Sequence, residues 1–177
     1  MGVELLVPKE KIEEAVGSLA DKIRKDYAGR RPLLIGCLTG SFVFMADLVR
    51  KIGIPVECDF MKVSSYEGRT TPGELRLLLD HMLPVENRDV IIVEDIVDTG
   101  ASLSFVRERI AARRPSSLAS CVLLYKDSPR SKLKEEDIEY LGLSIPDLFV
   151  VGYGIDFAQR HRELPYIGVV EEGGAKT

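Results

Sequence analysis

The sequence has few of the residues that form covalent or metal cross-links. Only three of its 177 residues are cysteine, and Cys37, Cys58 and Cys121 lie far apart with no CxxC pair. This spacing argues against a disulfide framework and against a cysteine-based zinc site. Because each cysteine lies in an apolar run, we expect three reduced thiols in the core. A chain of this length buries roughly 70% of its unfolded surface and needs no such cross-link to fold.

Features of membrane, exported and strongly basic proteins are also missing. No apolar run approaches the roughly 20 residues that cross a bilayer. The first ten residues include acidic side chains and no long apolar core, unlike a signal peptide. The formal net charge is -4, so the basic excess typical of a nucleic-acid-binding domain is absent. We therefore expect a cytoplasmic protein that folds as a single domain over residues 1–177.

The spacing of apolar residues predicts an alternation of helices and strands. Helices are predicted from Pro8 to Tyr27, over residues 42–52, and from Gly100 to Arg113. Short apolar runs predict strands at residues 33–38, 54–63, 75–79, 90–93, 118–124 and 148–152. This order predicts an α/β fold, with a twisted, mainly parallel sheet flanked by helices.

Three segments depart from this pattern. Residues 64–73 are polar and without periodicity, which predicts a mobile loop. Residues 126–144 are charged and irregular, and we expect residues 126–170 to form a small irregular flap over one end of the sheet. Residues 171–177 are predicted to be a loose tail.

The strongest chemical signal follows the predicted strand at residues 90–93. That strand leads directly into Glu94 and Asp95, and Asp98 follows three residues later. In an open parallel sheet, ligands bind at the carboxyl ends of the strands. Three acidic groups at such a point are costly unless a metal ion or a ligand with several hydroxyl groups neutralises them. A plainer interpretation stays open, in which Asp98 caps a helix and the other two acids are solvated.

Small residues follow these acids and open the next predicted helix. Thr99, Gly100, Ala101 and Ser102 offer backbone N–H groups, hydroxyl groups and the positive end of a helix dipole, which suits a phosphate group. Gly100 allows a close backbone approach. No Gly-Lys-Ser/Thr follows the turn, so nucleoside triphosphate hydrolysis is disfavoured.

Four segments resemble a known family. VIIVEDIVDTGAS at residues 90–102 resembles the phosphoribosyl diphosphate (PRPP) binding motif of type I phosphoribosyltransferases. GCLTGSFVFMADL at residues 36–48 is similar to the pyrophosphate loop of the hypoxanthine-guanine branch, and SSY at residues 64–66 to its catalytic lid. Lys126 together with FVVGYGIDFAQRHR at residues 149–162 looks like the purine-binding flap of that branch.

The resemblance implies an enzyme of purine salvage with the type I phosphoribosyltransferase fold. Such enzymes transfer ribose 5-phosphate from PRPP to hypoxanthine or guanine, release pyrophosphate, require Mg²⁺ and form homodimers or homotetramers. By the same resemblance, Asp98 is the general base, and Glu94 and Asp95 hold the ribose hydroxyls directly or through the metal. Residues 98–102 bind the 5-phosphate.

The remaining roles implied by the resemblance lie in three segments. Lys126 donates to the purine O6, Phe149 stacks on the base, and Val150 contacts it through its backbone. Asp156 is a further Mg²⁺ ligand beside Glu94 and Asp95. The pyrophosphate contacts are Thr39, Gly40 and Arg162, and the lid residues are Ser64, Ser65 and Tyr66.

One position departs from the family pattern. Members often have a lysine before the glycine of the pyrophosphate loop, whereas this chain has Thr39 before Gly40. Thr39 can offer its backbone N–H but no charge. The neighbouring peptide bond is often a non-proline cis bond in the family, and such bonds are rare elsewhere.

Two alternatives remain open at this point. One is a phosphoribosyltransferase for xanthine or for a pyrimidine base, because side-chain identity does not fix how position 2 of a purine is recognised. The other is a regulatory RNA-binding protein on the same fold. The net charge of -4 and the presence of Lys126 and Phe149 weigh against the second.

Overall fold

Two sheets and three helices make up the computed structural model, which describes residues 2–65 and 75–170. In chain order the elements are β1 (Val3–Val7), α1 (Lys9–Asp26), β2 (Leu33–Leu38), α2 (Phe42–Ile52), β3 (Glu57–Ser65), β4 (Leu75–Leu79), β5 (Asp89–Val97), α3 (Ala101–Ala111), β6 (Ser117–Asp127), β7 (Tyr140–Pro146), β8 (Val150–Val151) and β9 (Ile167–Val170).

The larger sheet has six strands in the order β4-β3-β2-β5-β6-β7. All neighbouring pairs are parallel except β3 with β4, which is antiparallel. Strands β2 and β5 lie at the centre and are apolar on both faces, as strands covered on both sides must be. The predicted twisted, mainly parallel α/β sheet is therefore confirmed.

Each face of this sheet carries its own hydrophobic core. Helices α1 and α2 belong to the core on one face, where Leu19 and Phe44 share a cluster with Ile91 and Val93. Helix α3 belongs to the core on the other face, which contains Val90 and Ile92. Because successive residues of a strand point to opposite faces, β5 contributes alternate side chains to both cores. The same alternation continues into the acidic residues at its end.

The prediction of three core thiols is wrong for one cysteine. Cys37 and Cys121 are buried, but Cys58 is exposed. Cys58 lies in the part of β3 that β4 does not pair with, so no neighbouring strand of the described chain covers it on that side.

A second, antiparallel sheet has the order β1-β9-β8. The pattern of apolar residues did not predict β1 or β9. Strand β1 is largely exposed along one edge of this small sheet, so it lacks a continuous apolar run. Its partner β9 is more than 150 residues away in the chain, with Val3 opposite Val170. Pairing at that distance leaves no local signal in the sequence.

Two predictions for the second half of the chain need correction. Residues 126–144 were expected to be irregular, yet β6 continues through Lys126, and β7 from Tyr140 onward pairs in parallel with β6. The predicted strand at residues 148–152 is reduced to β8, which pairs with β9 in the small sheet. Part of residues 126–170 thus belongs to the main sheet rather than to a flap. Strand β7 is an edge strand in which only two of the seven residues are buried, which explains its weak pattern.

The predicted loop at residues 64–73 is described only at its start. Ser64 and Ser65 are the last residues of β3, and the remainder of the loop lies outside the described residues, as does the predicted tail at residues 171–177. Within the described residues, none of the helices has the length and apolar character that a membrane crossing requires.

Candidate active site

The acidic pair at the end of β5 divides between the two faces of the sheet. Glu94 continues the face of Val90 and Ile92, whereas Asp95 continues the face of Ile91 and Val93. Both residues are only 8% exposed. Glu94 and Asp95 therefore line two separate pockets at the carboxyl end of the sheet.

Asp95 faces an open cleft of about 490 Å³. The polar and loop residues that line it with Asp95 include Thr39, Gly40, Lys62, Asp156 and Arg162. The peptide bond between Leu38 and Thr39 is cis, as the resemblance implied. A side chain on Gly40 would overlap the Asp95 carboxylate, so only glycine permits this close approach.

Asp156 and Arg162 reach the cleft from the segment between β8 and β9. The Arg162 guanidinium lies 2.8 Å from Asp156 Oδ1 and donates to the carbonyl oxygen of Gly154 at 2.7 Å. Asp156 also accepts a hydrogen bond from the Gln159 backbone N–H at 2.8 Å. These contacts hold Asp156 and Arg162 together at the wall of the cleft. They also occupy much of the hydrogen-bonding capacity of Arg162.

Glu94 faces a small pocket of about 50 Å³ on the other side of β5. Its Oε2 atom is buried and has no hydrogen-bond partner among the described residues. Burial, followed by the charge of nearby Asp95, raises the pKa of Glu94 well above its ordinary value. Burial also raises the pKa of Asp95, although a hydrogen bond with Glu94 and, more weakly, the positive charge of Arg162 oppose this. Two buried acids in this state require a cation or hydroxyl donors before both can ionise.

The turn that opens α3 completes the small pocket. Asp98, Thr99, Gly100 and Ser102 line it together with Glu94. Gly100 has a φ of 75°, and the Thr99 hydroxyl accepts a hydrogen bond from the Ala101 N–H at 3.4 Å. The first N–H groups of a helix have no partner within the helix and attract anions. The turn thus has the geometry and polarity of a phosphate-binding site.

Asp98 also contacts two cations from the segment that begins at the end of β6. Lys126 Nζ lies 3.2 Å from Asp98 Oδ2, and the Arg130 guanidinium lies 3.3 Å from Asp98 Oδ1. The Lys126 side chain is only 9% exposed, whereas that of Asp98 is 40% exposed. Because β5 and β6 are neighbouring parallel strands, their carboxyl ends place Asp98 and Lys126 side by side.

Arg130 is a site residue that the sequence did not predict. It is held by Asp147, whose carboxylate oxygens lie 3.0 and 3.2 Å from the guanidinium, and Ser128 donates to the same carboxylate at 2.8 Å. These residues lie in a charged stretch without periodicity, and the contact with Asp98 spans 32 positions. No local pattern distinguishes Arg130 from a solvated arginine.

Phe149 and Val150 follow Asp147 in the chain, just after β7. The Phe149 side chain is 52% exposed and makes an edge-to-face contact with Phe157, with ring centroids 5.4 Å apart. Val150 is buried in β8. An exposed aromatic ring held by a second ring can stack on a planar ligand.

The predicted metal ligands do not converge on one point. Among the described residues, no three His, Cys, Asp or Glu side chains are grouped so that they could hold a metal ion. Asp95 and Asp156 line the cleft, whereas Glu94 lines the small pocket beside it. Asp95 and Asp156 are oxygen donors of the kind that Mg²⁺ prefers, and they suit an ion that the ligand brings with it.

The predicted lid is described only in part. Ser64 lines the cleft that contains Asp95, and Ser65 ends β3. Tyr66 lies outside the described residues.

Comparisons with known proteins agree with this geometry. Residues 3–158 match the phosphoribosyl transferase domain family. The chain is 46% identical over 171 residues to a hypoxanthine phosphoribosyltransferase of Salmonella typhimurium, covering 95% of each chain. It is 42% identical over 170 residues to a hypoxanthine-guanine phosphoribosyltransferase of Streptococcus mutans, covering 96% of this chain and 93% of that protein.

A solved structure shows the same likeness in three dimensions. A hypoxanthine-guanine phosphoribosyltransferase from Bacillus anthracis, crystallised with a HEPES molecule in its active site, superposes with a TM-score of 0.88 at 41% identity. The match covers 95% of this chain and 98% of that one. The strand order, the two-sided end of β5 and these matches lead to one conclusion: the chain belongs to the phosphoribosyl transferase domain family.

Proposed function

We propose that this protein transfers ribose 5-phosphate from the Mg²⁺ complex of PRPP to hypoxanthine, guanine or both, as an enzyme of purine salvage. The observation that carries the proposal is the meeting of three features at the ends of β5 and β6. These are a phosphate-binding turn at Thr99–Ser102, a buried lysine beside Asp98, and an acidic cleft around Asp95. The named activities of the relatives from Salmonella typhimurium and Streptococcus mutans support it.

In this proposal the two pockets bind opposite ends of PRPP. The backbone N–H groups of residues 98–102 hold the 5-phosphate, and the acids at the end of β5 hold the ribose hydroxyls. Glu94 has a buried oxygen without a described partner, and a hydroxyl donor would satisfy it. The pyrophosphate group lies in the Asp95 cleft, where the backbone at Thr39 and Gly40 and the side chain of Arg162 contact it. Asp95 and Asp156 would hold a Mg²⁺ ion that arrives with PRPP, and its charge would stabilise the departing pyrophosphate.

The purine lies between Phe149 and the end of β6. Phe149 provides an exposed ring for stacking, and the Val150 backbone provides an edge contact. Lys126 carries an ammonium group that can only donate hydrogen bonds, so it pairs with a carbonyl oxygen at position 6. Its burial gives this pairing a large effect on base selection, since an unpaired buried charge is costly.

Asp98 acts on the incoming base. It accepts the proton of the purine imidazole N–H as the nitrogen attacks the anomeric carbon and pyrophosphate leaves. Such a general base contributes typically 10²–10⁴ in rate. The lid at residues 64–66 covers the reacting centre in this proposal and excludes water from the oxocarbenium-like sugar.

A spectrophotometric panel of bases tests the proposed function. Hypoxanthine, guanine, xanthine, adenine and a pyrimidine base are each incubated with PRPP and Mg²⁺, and nucleotide and pyrophosphate are measured. We expect nucleotide from hypoxanthine, guanine or both. If only xanthine or only the pyrimidine gave nucleotide, that base would be the substrate, and the proposed choice of hypoxanthine or guanine would be wrong. Failure of every base to give product would refute a phosphoribosyltransferase activity.

A further inference from the structure

The Asp95 cleft holds few cations for a site that binds a diphosphate. Asp95 and Asp156 line it on the acidic side, and Lys62 and Arg162 on the basic side. Arg162 is already paired with Asp156 at 2.8 Å. Thr39, at the loop position where related sequences often carry a lysine, contributes no charge. The described cleft therefore has one cation without an acidic partner, and that cation is Lys62.

The position of Lys62 follows from strand register. In the parallel pairing of β2 with β3, Lys62 lies opposite Leu38, the residue directly before Thr39. Met61 points into the core on the α3 side, so Lys62 points to the opposite face, which is also the face of Asp95. No hydrogen bond or ion pair joins the Lys62 ammonium group to any residue of the described chain. Lys62 is half-buried, lines the cleft and has no partner in the described chain, so its ammonium group is available to bind an anion.

We propose that Lys62 supplies, from the neighbouring strand, the positive charge that the loop lacks at Thr39, and that it binds the diphosphate group of PRPP and the pyrophosphate product. This inference rests on the proposed function, because that function defines the anion. A cation at the end of β3 approaches the same anion from the other side of the β2 terminus.

A binding measurement that does not require catalysis tests Lys62. Inorganic pyrophosphate is titrated calorimetrically into the full chain in the presence of Mg²⁺. Lys62→Met keeps the length of the side chain and removes its charge, so the Kd should rise at least about tenfold, the loss expected for one charge-assisted hydrogen bond. Lys62→Arg retains a cation and should bind within about threefold of the original chain. Lys22→Met, on the exposed surface of α1, is the matched control and should leave the Kd unchanged.

A double variant tests whether a cation at position 39 can replace the cation at position 62. Adding Thr39→Lys to Lys62→Met restores a cation from the loop side, and the Kd should return to within about threefold of its original value. Failure of this rescue would overturn the equivalence of the two positions. A Kd for Lys62→Met within about twofold of the original chain would overturn the role of Lys62 altogether. If pyrophosphate binds as expected but no base yields nucleotide from PRPP, the proposed function fails while the assignment of Lys62 stands.

Discussion

Replacing Lys126 with methionine removes a buried charge from the proposed purine site while nearly preserving side-chain length. The Lys126 side chain is 9% exposed, and its ammonium lies 3.2 Å from Asp98. A lysine can only donate, whereas position 6 of adenine presents an amino donor and that of hypoxanthine a carbonyl acceptor. A site built around one polar partner rejects the mismatched analogue by roughly 10⁴-fold. The original chain should therefore favour hypoxanthine over adenine by about that ratio in kcat/KM.

The Lys126→Met variant should lower this ratio, because the change affects kcat/KM for both bases. Loss of one charged hydrogen bond of about 1.5–3 kcal/mol lowers kcat/KM for hypoxanthine by roughly 10–150-fold. The amino group of adenine no longer faces the ammonium donor of Lys126, so kcat/KM for adenine should stay level or rise. The assay compares initial rates for both bases at saturating PRPP, with Lys22→Met as a control that should keep the original ratio. If the original chain used adenine with a kcat/KM within about tenfold of that for hypoxanthine, Lys126 would not select the base, and the proposed role would be wrong.

Further predictions concern the Asp95 cleft and the stability of the fold. Gly40→Ala places a methyl group on the Asp95 carboxylate, so kcat/KM for PRPP should fall at least about tenfold with little change in Tm, measured by initial rates and thermal unfolding. Burial would raise the pKa of Asp59, but hydrogen bonds from the Leu83, Phe60 and Met82 N–H groups outweigh it and lower the pKa below 3.8. An acid whose pKa is lower in the folded protein than in the unfolded chain stabilises the fold at pH values above its unfolded pKa. This stabilisation is lost as the pH falls through the folded pKa. Asp59→Asn should therefore cost roughly 1 kcal/mol in urea unfolding near pH 7, and this cost should shrink progressively as the pH falls below 3.8; a cost that does not change with pH would contradict this reasoning.

The central part of the fold could be predicted from sequence because its signals are local and strong. After Asp89, strand β5 has four buried β-branched residues, and acids and a glycine turn follow them. Continuous apolar runs are typical of strands covered on both faces. Parallel strands bring their carboxyl ends to one edge, so the chain order alone places Asp98 near Lys126.

Pairing at the edges of the sheets could not be predicted in the same way. Strand β7 is partly exposed and β1 pairs with a strand at the far end of the chain, so neither shows a pattern of its own. The ion pairs of Arg130 with Asp98 and Asp147 are likewise set by tertiary structure. The sequence also does not show that Glu94 and Asp95 line different pockets. That follows only once β5 is known to continue through both residues.

Two interpretations of Asp98, as a general base and as a helix cap, predict different surroundings for its carboxylate. Two cations, Lys126 at 3.2 Å and Arg130 at 3.3 Å, contact its carboxylate, whereas a plain helix cap would contact backbone N–H groups. The helix that follows has no side-chain hydrogen bond at its N-cap. Under the proposed function, a 6-oxopurine that engages Lys126 would release one oxygen of Asp98 toward the base, where it would accept the purine proton.

Asp98→Asn keeps the shape of the side chain and removes this proton acceptor. We expect kcat to fall roughly 100-fold or more, with PRPP affinity changed little because backbone groups hold the 5-phosphate. Asp147→Asn is the matched control, since it loosens Arg130 but leaves Asp98 intact, and it should lower kcat less than about tenfold. The measurement is kcat at saturating hypoxanthine and PRPP, together with PRPP binding by calorimetry. A kcat for Asp98→Asn within about tenfold of the original would mean that Asp98 only shapes the phosphate turn, and that another group accepts the purine proton.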